Sequence, residues 1–265
     1  MRVLIACEES QTVCKAFREK GHEAYSCDIV ECSGGHPEWH IQQDVLPLLN
    51  GGCSFKTMDG VDHTIEGRWD MIIAFPPCTF MSKAGARWMF ANGEVNQERL
   101  KKAMAAKRFF LAIWNADCDR VVIENPTPLK IVCLPKPTQI IQPYKFDPKR
   151  KHPYSKRTCL WERGVPLLKE TSPDATPIST WMPSNTGGFA RGQGGGRGIA
   201  HDAKTASKTF PGIAKAMAEQ YGSEISRTDC LTCRYFVECE PDMIAYHNDP
   251  CDLYKEQTRR NENEN

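Results

Sequence analysis

The sequence predicts an α/β protein, a parallel, doubly wound sheet followed by a small C-terminal Cys-rich module. Three observations predict it. Over the first 125 residues, short apolar runs alternate with longer stretches of helical periodicity, the pattern of strands joined by crossover helices. Each run halts at acidic, proline or cysteine residues, as strands do when they end on a ligand-facing edge. Finally, 4 of the 13 cysteines crowd into 22 residues late in the 265-residue chain.

Arg2 to Ala6 reads as a buried strand. Ser10 caps a helix through Lys20 that turns Val13, Cys14 and Phe17 inward and stops at Gly21. Glu23 to Val30 is a second strand, ending near Asp28. Trp69 to Ala74 is a third, halted by Phe75-Pro76-Pro77-Cys78. Asn96 to Ala116 forms a long helix with Leu100, Met104, Phe110, Leu111 and Trp114 on its packed side. Arg120 to Ile123 is a fourth strand, stopping at Glu124-Asn125-Pro126. Prolines and short strands follow, at Thr138 to Gln142 and Arg157 to Trp161. Residues 183–202, rich in Gly and Arg, are a loop, and Pro211 to Tyr221 is a helix closing a domain of residues 1–222. Residues 223–258 make the Cys-rich module, and 259–265 a disordered polar tail.

The formal net charge of +1 hides an asymmetry. Residues 145–208 carry 12 basic against 5 acidic residues, and residues 223–265 carry 5 against 10. A basic middle suggests a surface that faces a polyanion. No apolar run reaches the length that spans a bilayer, so no membrane partner is expected. The early acids Glu8 and Glu9 do not suit a secretory signal. With 13 cysteines in irregular spacing, the expectation is free thiols in a reducing, cytoplasmic compartment.

Ligands of an open parallel sheet bind beyond the carboxyl ends of its strands. That rule gathers Cys7, Glu8 and Glu9 after the first strand, Asp28 after the second, Asp44 after a connecting segment, Cys78 after the third, and Glu124 after the fourth. Asp28 follows Glu8 by 20 positions, an interval suited to an acid that binds a ribose. Without a Gly-x-Gly-x-x-Gly or a phosphate-cradling loop, a phosphate-free cofactor such as S-adenosylmethionine fits these acids best. Cys7, Glu8, Asp28, Asp44 and Pro76 are its expected binding residues. Cys78 and Glu124, ending adjacent strands, pair a thiol nucleophile with a carboxyl acid, as addition to an electron-poor heterocycle requires.

Cys230, Cys233, Cys239 and Cys251 follow a C-x2-C-x5-C-x11-C spacing. A Cys-x-x-Cys start gives the tight turn of a tetrahedral thiolate site, and so small a segment needs a staple in order to fold. Structural zinc is the expected metal, with an iron–sulfur cluster the alternative.

Taken in order, these motifs resemble those of the DNA cytosine C5-methyltransferases, especially compact phage and prophage forms. Phe75-Pro76-Pro77-Cys78-Thr79-Phe80-Met81-Ser82 is similar to the family's Pro-Pro-Cys-Gln nucleophile loop, and Glu124-Asn125-Pro126 to its Glu-Asn-Val. Asp28 and Asp44 match the acids that hold the cofactor's ribose and adenine. Lys156-Arg157-Thr158-Cys159-Leu160-Trp161 partly matches the Gln-x-Arg-x-Arg strand, with Arg157 the nearest counterpart. Thr209 to Met217 sits where the family's closing helix belongs. The resemblance covers roughly residues 1–222. It departs at the first loop, Ile5-Ala6-Cys7-Glu8-Glu9-Ser10, which lacks the family's glycines, and at the large recognition domain, which is missing.

The resemblance implies a Rossmann-like doubly wound sheet of the SAM-dependent methyltransferase type. It also implies an enzyme that methylates C5 of cytosine in DNA through a covalent Cys78 adduct, with Glu124 assisting at the flipped base. Arg157 or a neighbouring cation is expected to lower the thiol's pKa. DNA phosphates are expected to meet residues 145–157 (Lys149, Arg150, Lys151, Lys156, Arg157) and 191–197 (Arg191, Arg197), and no obligate protein partner is implied. Two other readings are an exocyclic amino methyltransferase and an inactive DNA-binding protein on the same scaffold.

Overall fold

The computed structural model describes residues 1–91, 94–180 and 208–223. Strands β1 (Arg2–Ala6), β2 (Glu23–Asp28) and β3 (His40–Gln42) are followed by the hairpin β4 (Cys53–Lys56) and β5 (Asp62–Ile65), then by β6 (Met71–Ala74). The short pair β7 (Phe90–Ala91) and β8 (Glu94–Val95) precedes β9 (Val121–Pro126) and β10 (Gln139–Ile141). Then come β11 (Tyr154–Ser155), β12 (Thr158–Arg163) and β13 (Ser179–Thr180). The helices are α1 (Thr12–Glu19), α2 (Ala86–Met89), α3 (Gln97–Trp114) and α4 (Pro211–Tyr221).

The central sheet has seven strands in the order β10-β12-β9-β6-β1-β2-β3. All neighbours from β9 to β3 pair in parallel, while β12 runs antiparallel to both β9 and β10. Counting only these seven, the order is that of a nucleotide-binding sheet with its last strand wedged in reverse between the fifth and sixth. The chain order turns back between β1 and β6, so their carboxyl ends flank the crevice where such sheets bind ligands.

Strand alternation feeds two cores. Val3 and Ile5 of β1 join α1 and α4 on one side, with Phe17, Met217 and Tyr221; Leu4 and Ala6 join α3 and the β4–β5 hairpin on the other, with Phe110 and Phe55. A strand covered on both faces must be apolar throughout, which is why these runs lack polar residues. Tyr221 ties α4 to the reversed strand: its hydroxyl donates to Glu162 at 2.7 Å, and Glu162 also accepts from Thr138 at 2.7 Å.

Several boundaries differ from the sequence reading. Ser10 does not cap α1; Gln11 precedes it in a left-handed conformation (φ 57°), and the buried carboxylate of Glu8 accepts from the amides of Val13 (2.6 Å) and Cys14 (3.1 Å). The third strand begins at Met71 rather than Trp69, whose buried indole instead donates to the Leu48 carbonyl at 2.6 Å. β9 runs on through Glu124-Asn125-Pro126 because Thr158 to Leu160 of β12 pair alongside it. The Gly/Arg-rich loop at 183–202 with Arg191 and Arg197, the tail at 259–265, and Cys230, Cys233, Cys239 and Cys251 lie outside the described residues. No helix among the described residues is long and apolar enough to cross a membrane.

Candidate active site

Two residues of the first loop, neither of them glycine, adopt left-handed backbone. Cys7, directly after β1, has φ 59°, and Gln11 has φ 57°, a region that non-glycine residues rarely occupy. Gln11 is fully buried, and its amide locks the next loop by donating to the His36 carbonyl (2.8 Å) and accepting from the His36 amide (3.0 Å). Such holding is what keeps two strained turns in place.

Beyond these strand ends lies a cavity of about 520 Å³, with Cys7, Cys27, Asp28, Asp44, Pro77 and Phe80 in its wall. That size suits a small-molecule site. Asp28 and Asp44 each hold the backbone amide two residues ahead, Val30 at 3.2 Å and Leu46 at 3.0 Å. Their charges reach the thiols. Burial, then Asp28, pushes Cys27 up to about 12, and burial followed by Asp28 pushes Cys7 up further. Two predicted cofactor residues sit elsewhere. Both oxygens of Glu8 are used on α1, and Pro76 directs its carbonyl to the Asn125 side-chain amide at 2.8 Å, leaving Pro77 to line the cavity.

Cys78 and Glu124 come together as expected from neighbouring parallel strands, since Ala74 of β6 pairs with Ile123 of β9. The Cys78 carbonyl accepts from the amides of Met81 and Ser82, both at 3.0 Å, which turns the chain sharply after the thiol. Two crossings then clamp this loop to the segment after β9: Lys83 donates its amide to the Thr127 carbonyl (2.9 Å), and Leu129 to that of Met81 (2.7 Å). The thiol and the carboxyl therefore sit on one rigid frame.

The electrostatics differ from expectation. The half-buried Cys78 thiol is pushed up, chiefly by desolvation and next by the Glu124 charge, while Lys156 pulls it down. Glu124 is also pushed up by desolvation, opposed by the same Lys156. Among the described residues no group hydrogen-bonds to the Glu124 carboxyl. Arg157, the first of the cations expected to lower the thiol's pKa, is exposed and donates its Nε to Thr127 Oγ1 at 3.2 Å. The cation that acts on the pair is Lys156, its neighbour. Asn125, 1% exposed, leaves its Oδ1 without a partner among the described residues.

Sequence reasoning placed Lys156 among the phosphate-facing cations without singling it out beside the thiol, and it missed Asn125 and the cavity residues Phe80 and Lys102 as site residues. Lys156 was visible only as one of a basic pair, and which member turns inward depends on how the chain enters β12. Lys149, Arg150 and Lys151 are exposed, as a phosphate-facing cluster must be. Among the described residues no three His, Cys, Asp or Glu side chains gather as a metal site. No protein-family model and no curated protein matches the chain, so its function is read from the site itself.

Proposed function

We propose that this protein is a DNA cytosine C5-methyltransferase that uses S-adenosylmethionine. The observation that carries the proposal is the pairing of Cys78 with Glu124 at the ends of adjacent parallel strands, beside an acid-lined cavity at the sheet's switch point. The cavity suits the cofactor's charge. Two carboxylates make the field negative around Cys7 and Cys27, which favours a cationic sulfonium over a phosphorylated nucleotide. Asp28 and Asp44 each keep an oxygen for ribose or adenine, and Cys7's left-handed backbone supplies the close approach that glycine normally gives. When bound, the cofactor supplies an electrophilic methyl group.

The chain's own residues do the rest. A cytosine inside a duplex must first leave the stack. Cys78 then loses its proton, with Lys156 steadying the thiolate, and its Sγ forms a bond to C6 of the base. Glu124, in the step that needs it protonated, gives its proton to ring N3 as the C5–C6 electron pair shifts into a C4–C5 enamine double bond. C5 becomes nucleophilic as a result. After methyl transfer, solvent takes the C5 proton, the C5–H electron pair re-forms the C5–C6 double bond and expels Sγ as thiolate, and N3 returns its proton to Glu124. Burial and the Glu124 charge push the Cys78 thiol up while Lys156 pulls it down, so Lys156 is the group that favours the thiolate.

DNA containing 5-fluorocytosine tests this, because fluorine at C5 blocks the final elimination. A denaturant-stable adduct that requires S-adenosylmethionine and disappears in Cys78→Ser supports the proposal. Methyl transfer with no adduct would point to an exocyclic amine. Absence of both adduct and transfer would leave an inactive DNA-binding protein.

A further inference from the structure

A row of aromatic rings and cations begins two residues after Cys78. Phe80 forms part of the cavity wall, and its ring carries Arg99 at 5.1 Å and Lys102 at 5.6 Å. Arg99 also reaches Trp88 at 5.5 Å, and Arg87 lies over the other part of this row, 4.0 Å from the Trp88 ring centroid. Arg99 fastens the row to the nucleophile loop by donating Nη2 to the Thr79 carbonyl at 2.7 Å. Gly85 makes room for that strap, since a Cβ there would meet Arg99 Nη2 at 2.6 Å.

The core does not require this arrangement. Trp88 of α2 is 47% exposed and Phe90 at the start of β7 is 44% exposed, a large apolar area on two short neighbouring elements. Among the described residues no carboxylate pairs with Lys83, Arg87, Arg99 or Lys102. Glu94 and Glu98 are the nearby acids in sequence, and they are outnumbered by Lys83, Arg87, Arg99, Lys101 and Lys102. Docking an apolar protein surface here would bury unpaired cations, which is costly. A strand of nucleic acid has the opposite character, with planar bases to stack on rings and phosphates to meet free cations.

We infer that Trp88 is a stacking post for an unpaired base next to the target cytosine, with Arg87, Arg99 and Lys102 holding the flanking phosphates. The protein on this view engages DNA whose bases are already exposed in preference to closed duplex. The inference rests on the proposed function for the identity of the reacting base, while the platform itself rests on the rings and cations.

Binding is measured by fluorescence anisotropy with one labelled DNA oligonucleotide, presented single-stranded and as a fully paired duplex, without methyl donor. Trp88→Ala is expected to weaken single-strand binding about tenfold, in the range of alanine substitutions at stacked bases, and duplex binding by less than about twofold. Trp88→Phe keeps most of the single-strand affinity. Thermal unfolding of each variant confirms that the exposed substitution leaves the fold intact. Unchanged single-strand binding in Trp88→Ala overturns the inference, as do equal losses on both forms or a Phe variant as weak as Ala. The two proposals fail separately. A 5-fluorocytosine adduct with undisturbed Trp88→Ala binding removes the platform and keeps the reaction, whereas Trp88-dependent binding with no adduct does the reverse.

Discussion

The charge of Glu124 opposes ionisation of the Cys78 thiol across the ends of β6 and β9. The carboxyl therefore restrains the thiol, second only to the thiol's own burial. Glu124→Gln removes the charge while keeping the shape, so the thiol pKa falls. Iodoacetamide should alkylate Cys78 severalfold faster in this variant at neutral pH, while methyl transfer to cytosine is lost. Alkylation at the parent rate would show that the carboxyl does not act on the thiol.

Of the basic pair offered by the sequence, Lys156 rather than Arg157 acts on the thiol. Lys156 lowers the pKa of both Cys78 and Glu124, while Arg157 is tied to Thr127. Lys156→Met should slow Cys78 alkylation and move its pH midpoint upward. Arg157→Ala should leave both nearly unchanged, and a larger effect from Arg157 than from Lys156 would reverse this assignment.

How much of this was legible in the sequence follows from how local each signal is. The parallel strands and the two-sided sheet could be read because Val3-Leu4-Ile5-Ala6 and Met71-Ile72-Ile73-Ala74 are apolar at every position, which only a doubly covered strand requires. Cys78 and Glu124 could be paired because strand ends converge by topology. The β4–β5 hairpin escaped notice because Cys53-Ser54-Phe55-Lys56 offers Phe55 alone as a well-buried residue. The left-handed backbone at Cys7 and Gln11 leaves no trace in composition, since glycine is its usual marker. Capping rules look two or three residues ahead, so they selected Ser10 and passed over Glu8, which reaches α1 from five and six positions away. Lys156 and Arg157 are indistinguishable until the entry into β12 is known.

Asp28 lines the cavity, its side chain's one hydrogen bond among the described residues going to the Val30 amide at an exposed edge, and on the proposed function it holds the cofactor. Asp28→Ala should weaken S-adenosylmethionine binding about tenfold or more, the usual loss for a hydrogen bond to a charged group. The unfolding temperature should hardly move. Calorimetric titration yielding the parent affinity would take Asp28 out of the site.

Glu8 gives the first loop a pH dependence. Its carboxyl is buried between Cys7 and α1, and desolvation raises its pKa from 4.5 to about 7 against the two amide bonds that favour the charged form. Between those values the native state keeps a proton that the unfolded chain releases, so this contribution to stability is full below about 4.5 and is lost as pH rises through about 7. Glu8→Gln stays neutral throughout and keeps one acceptor for α1. Urea unfolding of both proteins should therefore show the parent losing about 2 kcal/mol relative to the variant between about pH 5 and about pH 8. Parallel pH profiles would mean that Glu8 ionises alike in both states.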